Sequence, residues 1–161
     1  MTFQTSVGAA LATGVPGEPV SDAAMRCRPG ITGGTAANII VGRWFTQDPA
    51  DLLYKPGGTN GEGGLLVNPK AYASIGTTAN GPLAPTLQLP AGTPGEFASG
   101  GEFYAVFSTA AQVGQPVFYD NTTGILGAGT AAAGQTQIAG AKVTRYNNAA
   151  PGLTAFAMNG A

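Results

Sequence analysis

Histidine is missing from this 161-residue chain altogether. Its absence removes the usual general base near neutral pH, the commonest metal ligand and the Ser-His-Asp arrangement at once. Cys27 is the sole cysteine, so no intrachain disulfide and no cysteine-based zinc site can form, and the fold must stand on packing. Charge is scarce too: seven basic and eight acidic residues make up 9% of the chain, against about 25% in ordinary soluble domains. The seven cations are scattered from Arg26 to Arg145 and form no basic stripe, so nucleic acid is not an expected partner. No run of about 18 apolar residues exists, which excludes a transmembrane helix. Residues 1–15 lack a basic start and a compact hydrophobic stretch, and are read as mature protein rather than a signal peptide. The expectation is synthesis in a cytoplasm, no membrane partner, no metal and no cofactor.

What is present is apolar matter and chain breakers. Apolar residues reach 43%, enough for one domain with a real core, while 26 glycines and 12 prolines interrupt every apolar run and rule out long helices. A surface built from Thr, Ala, Gly, Asn and Gln lacks the charge that keeps free monomers apart, so it suits a protein packed against others. A soluble protein with a polar, uncharged surface is the blander alternative.

Along the chain, residues 1–37 read as an extended N-terminal arm and a turn-rich segment, and 38–161 as a single β domain to which the arm belongs. Residues 38–46, NIIVGRWFT, are β-branched and aromatic and predict a strand that turns Trp44, or else Arg43 and Phe45, to the core. The run PGGTNGEGG at 56–64 predicts an exposed loop. Residues 64–75 and 85–90 are two further strand candidates. Residues 102–108, EFYAVFS, place Phe103, Ala105 and Phe107 on one face and Tyr104 and Val106 on the other. Residues 115–120 followed by NTTG and Ile125-Leu126 predict a hairpin, with 127–134 as a small-residue linker. Residues 138–146 and 153–158 close the chain as two strands. Eight or so short strands without helical periodicity predict an all-β fold, a jelly-roll-like β-sandwich or small β-barrel with an extended N-terminal arm.

Patterns that imitate a catalytic or binding site are weak. A glycosidase needs only two carboxylates, so Asp48 with Asp51 and Glu96 with Glu102 are candidates, but turn and strand-end solvation explains both pairs. GAGTAAAG at 127–134 fits neither GxGxxG before a helix nor GxxxxGK. Cys27 lies between Arg26 and Arg28, which favour a thiolate, but without histidine a small buried or incidental thiol is the simpler reading. Asn121-Thr122-Thr123 fits a glycosylation sequon and equally a polar turn.

Three stretches together resemble the cement or decoration proteins of tailed bacteriophages. They are the opening MTFQTSVGAALATGVPGEPVSD, the strand and turn NIIVGRWFTQDP, and the strand and hairpin GQPVFYDNTTGIL. The glycine loop PGGTNGEGG and the segment LAPTLQLP depart from the family pattern. The resemblance implies a non-enzymatic β subunit that oligomerises as a dimer or trimer and binds the major capsid protein on the outer surface of the head, stabilising it. Within the arm, Thr2, Phe3, Gln4, Thr5 and Val7 belong to an alternating strand-like piece, which suits pairing with the sheet edge of a shell or subunit neighbour, or pairing within its own subunit. A carbohydrate- or host-receptor-binding module of a virion fibre is the second class, with Trp44, Tyr54 and Tyr72 as its stacking platform.

Overall fold

The computed structural model describes residues 14–20, 24–59, 62–72, 86–148 and 152–159. Among them the chain is all β: β1 (Arg26–Ile31), β2 (Trp44–Gln47), β3 (Tyr54–Pro56), β4 (Gly63–Val67), β5 (Pro94–Phe107), β6 (Pro116–Asp120), β7 (Leu126–Ala128), β8 (Gln135–Arg145) and β9 (Gly152–Asn159). Among the described residues the helical content is two 3-10 turns, Ala36–Asn38 and Pro69–Tyr72, in keeping with the density of Gly and Pro.

The 14-residue strand β5 organises everything else. Its first half lies between β1 and β4, and β2 and β3 continue the sheet outward from β4. An isolated parallel bridge from Thr32, just past β1, to Tyr54 of β3 brings the two outer strands together. The second half of β5 pairs with β9, then β8, β6 and β7 follow, and β7 returns to β5 through the parallel pair Phe107–Leu126. That second ladder closes on itself, the barrel solution to unpaired edges.

Two cores result. Ile39, Val41, Phe45, Tyr54, Leu66 and Phe97 fill one, and Phe103, Phe107, Val117, Leu126, Val143 and Phe156 dominate the other. The wall of β2, β4 and the first half of β5 separates them. Leu65 and Val67 face one core and Leu66 the other, so this wall is buried on both sides. For the same reason Trp44 and Phe45 are both buried, at 7% and 0% exposure, although they point to opposite faces.

A β-bulge makes one strand serve both cores. Arg26 and Cys27 oppose Gly100 and Ala98, leaving Ser99 as an extra residue. Ahead of it Ala98 faces the larger core and Phe97 the smaller. Beyond it the odd-numbered Phe103, Ala105 and Phe107 face the larger core. Had Ser99 been paired in a regular, unbulged strand, period-two alternation from Ala98 would send Tyr104 and Val106 inward instead.

The hairpin turn between β6 and β7 locks the halves together. The Trp44 N–H donates to the Gly124 carbonyl at 2.8 Å and the Gly58 N–H to the Asn121 carbonyl at 2.7 Å. Asp120 Oδ1 accepts from the N–H groups of Thr122 and Thr123, at 3.0 and 2.7 Å, and from the Thr123 hydroxyl at 2.8 Å. Gly124 sits at φ +69° against β2, and a Cβ there would collide with the Trp44 carbonyl oxygen.

Several expectations change. The segment read as turns contains β1, because pairing to β5 tolerates Pro29 and Gly30 on an outer strand. The strand expected over 38–46 begins only at Trp44: Gly42, at φ +86°, packs against Pro16 and Gly17, and Ile39 and Val41 reach the core from a turn. The strand expected over 64–75 stops at Val67, where Asn68 takes φ +65°, and a 3-10 turn follows; residues 73–75 lie outside the described residues. In 86–90, Leu87 takes φ +57° and Gln88 makes a single bridge to Ile40. The loop expected over 56–64 is shorter, because Pro56 ends β3, Gly57 is buried against the Asn121 turn and Gly63 opens β4. The linker expected over 127–134 starts inside β7. Thr2, Phe3, Gln4, Thr5 and Val7 lie outside the described residues.

Candidate interaction surfaces

The charged residues of the surface largely neutralise one another. Lys55 Nζ lies 2.6 Å from Asp48 and 2.7 Å from Asp51, Lys70 lies 3.0 Å from Glu18, Arg145 lies 3.3 Å from Glu102, and Arg28 pairs with Glu62. Exposed pairs of this kind add little stability, but they leave little field to steer a charged partner.

These contacts also account for the candidate acids. Asp48 and Asp51 accept from Lys55 and from the backbone N–H groups of Ala50 and Leu53. The hydrogen bond from Lys55, ahead of those from the backbone, holds both carboxyls below their ordinary range, which suits a structural clamp and opposes general-acid work. Glu102 accepts from Thr144 Oγ1 at 2.6 Å, and Glu96 accepts from Asn68 at 3.3 Å. No cluster of three or more His, Cys, Asp or Glu suited to a metal occurs among the described residues. Asn121 holds the interlobe turn and accepts from Thr136 Oγ1 at 2.7 Å, which accounts for the sequon as turn chemistry.

Trp44, Tyr54 and Tyr72 are 7%, 3% and 3% exposed. Tyr54 stacks on Phe97 at 3.8 Å between ring centroids, and Trp44 on Tyr119 at 5.5 Å. None of the three offers an open ring face for a sugar, so the platform expected for a carbohydrate module is absent at these residues.

Three surface features remain. The first is β1, whose Arg26, Cys27, Arg28, Pro29 and Ile31 are all exposed. Cys27 is thus an exposed thiol rather than a buried one, yet partial burial, then the Glu96 carboxylate, push its pKa up and disfavour the thiolate. The flanking arginines do not overcome those two effects.

The second feature is a groove of about 400 Å³ lined by Val15, Pro16, Ile40, Leu87, Val106 and Ile125. Val15 and Val106 on it are 39% and 52% exposed, and the described chain enters the fold here at Gly14.

The third is a more polar cleft of about 380 Å³ where the two halves of the fold meet. Its wall includes Trp44, Ser99, Tyr119 and Gln137, with the Arg28–Glu62 pair beside them. Composition gave no signal for this cleft. Ser99 reaches it only because of the bulge, which no local pattern in the sequence announces.

A helix-poor, two-core β body with a neutralised surface and an exposed outer strand defines a structural subunit built to pack against other proteins. The family of structural cement proteins (E217 gp24/Pam3 gp6) matches residues 3–159, and the chain belongs to it. Its function is therefore that of a structural cement protein, stabilising a phage capsid. Among solved structures, a chain of the capsid of Myoviridae phage XM1 shares the fold, with a TM-score of 0.65 and 15% identity over 99% of this chain and 98% of that one. No curated protein sequence matches.

Proposed function

We propose that this cement protein sits on the outer surface of the head, bound to the major capsid protein as a symmetric homo-oligomer, and that it performs no catalysis. The observation that carries this reading is the pairing of a charge-neutralised surface with an apolar groove on which Val15 and Val106 lie exposed. A shell repeats identical sites, so an oligomer that engages several of them gains avidity from modest contacts. Thr2, Phe3, Gln4, Thr5 and Val7 supply one such contact, adding a strand to a neighbour's sheet edge. The XM1 capsid chain with the same fold supports placement within a head.

Two experiments test this. Deleting residues 2–15 should leave the thermal unfolding transition intact and lower occupancy on heads; undiminished occupancy would contradict the role given to the arm. Treating intact decorated heads with a bulky maleimide polymer should shift this protein on a gel through the exposed Cys27. A band that shifts only after the heads are disrupted would place the protein, or this strand of it, away from the outer surface.

A further inference from the structure

Four described residues other than glycine hold a left-handed φ: Leu52 at +60°, Asn68 at +65°, Leu87 at +57° and Tyr146 at +63°. That region is costly for a side chain as bulky as leucine or tyrosine and cheaper for asparagine. Leu87 packs against the smaller core and Tyr146 stacks on Tyr104 at 6.4 Å between ring centroids, so both side chains serve the fold itself. Leu52 does not. It belongs to neither core, and at 65% it is the most exposed large apolar side chain among the described residues. A lone exposed leucine is ordinary on a protein surface, but one held on a strained backbone carries two costs at once.

The loop that joins β2 to β3 enforces this geometry. The Leu52 N–H donates to the Asp48 carbonyl at 2.8 Å, the Asp48 N–H to the Leu53 carbonyl at 2.9 Å, and Gln47 Nε2 to the Leu52 carbonyl at 3.1 Å. Asp48 and Asp51 accept from the N–H groups of Ala50 and Leu53, and Lys55 ties both carboxylates to β3. Glycine or asparagine would satisfy the same backbone with less strain.

We infer that Leu52 is an apolar knob that seats in an uncharged socket of the major capsid protein, held ready by the hydrogen bonds of its loop. Strain that the surrounding structure over-determines clusters at functional positions, and a knob ordered in advance loses little freedom on docking. The socket is apolar because Pro49 and Ala50 are exposed beside Leu52, while the charges of the loop are engaged with one another. The shell is favoured over a second copy of this chain on grounds of area. One leucine flanked by two small residues falls far short of the roughly 800 Å² per partner that a stable pair of free proteins buries. A shell repeats its sites, so a contact this small gains weight by repetition.

The inference rests on the head-binding reading above, and the full chain tests it on undecorated expanded heads. Leu52→Asn and Leu52→Gly both accept the left-handed backbone and remove the knob. Each should leave the thermal midpoint of the free protein at or above the parent's, because relieved strain offsets the little burial that is lost. Each should also raise the protein concentration at half-saturation of the heads by about tenfold, the loss expected on failing to bury one leucine side chain. Leu52→Met keeps an apolar knob and should bind as the parent does. Heads that bind the parent and both knobless variants equally would overturn the inference while leaving the cement role standing. A midpoint several degrees below the parent's would show that Leu52 serves its own fold, and would overturn it too. Free variants that lose a self-association the parent shows in sedimentation equilibrium would identify the partner as a second copy and overturn docking on the shell. Heads that do not bind the parent at all would overturn the head-binding reading itself.

Discussion

At the scale of single residues, position within the two-core body decides what each side chain does. Trp44 looks from the sequence like a possible sugar platform, but its strand is covered on both faces. Trp44→Ala should accordingly cost about 3 to 5 kcal/mol in urea unfolding, and a loss below about 1 kcal/mol would contradict its burial. Gly124 should be as intolerant for a different reason. Its left-handed φ and the adjacent Trp44 carbonyl leave no space for a methyl group, so Gly124→Ala should destabilise by about 2 kcal/mol or more.

Asp120 carries a pH signature. Partial burial opposes its ionisation, but the Thr123 hydroxyl and the N–H groups of Thr123 and Thr122 together hold its folded pKa below 3.8. A depressed carboxylate adds stability that is present above the unfolded value and lost as pH falls through the folded one. Asp120→Asn should therefore be less stable than the parent at pH 7 by about 1 kcal/mol, and the gap should close in acid once the parent carboxyl is protonated. A gap that stays constant down to acid pH would show that the charge plays no part in holding the turn.

At the scale of elements, strands whose alternation is local and whose turns are tight were legible in the sequence. The second half of β5, the β6–β7 hairpin, β8 and β9 follow from period-two patterning and from NTTG. What was not legible depends on distant partners. β1 is a strand because β5 offers it a ladder, and RCRPGI carries no strand signal of its own. Ile39 and Val41 look like strand residues but fill a core from a turn set by Gly42. The Ser99 bulge is invisible locally, because the residues on either side of it alternate normally. Deleting Ser99 should remove the bulge yet keep Phe103 and Phe107 an even number of residues from Ala98, on the same core face, so the cooperative thermal transition should survive. Loss of the cooperative transition in the deletion variant would show that the bulge geometry itself, and not the alternation alone, holds the two cores together. The arm residues Thr2 to Val7 are readable as a periodic pattern, whereas the interlobe cleft exists only after folding.

At the scale of the whole molecule, the described surface charges are largely neutralised and the two halves share one long strand. β5 runs through both halves, and hydrogen bonds from the Asn121–Gly124 turn tie one half to the other. With its surface charges largely paired among themselves, attachment to a shell should change little between low and moderate ionic strength. A steep loss of binding with added salt would mean that ion pairs to the shell carry the attachment.

The most direct test of the central claim is co-sedimentation of the purified protein with undecorated, expanded heads, counting copies bound per major capsid subunit on a gel. The account predicts saturation at a fixed ratio and greater resistance of the loaded heads to heat. Binding that never saturates, or saturated heads no more resistant than bare ones, would contradict a cementing role for this chain.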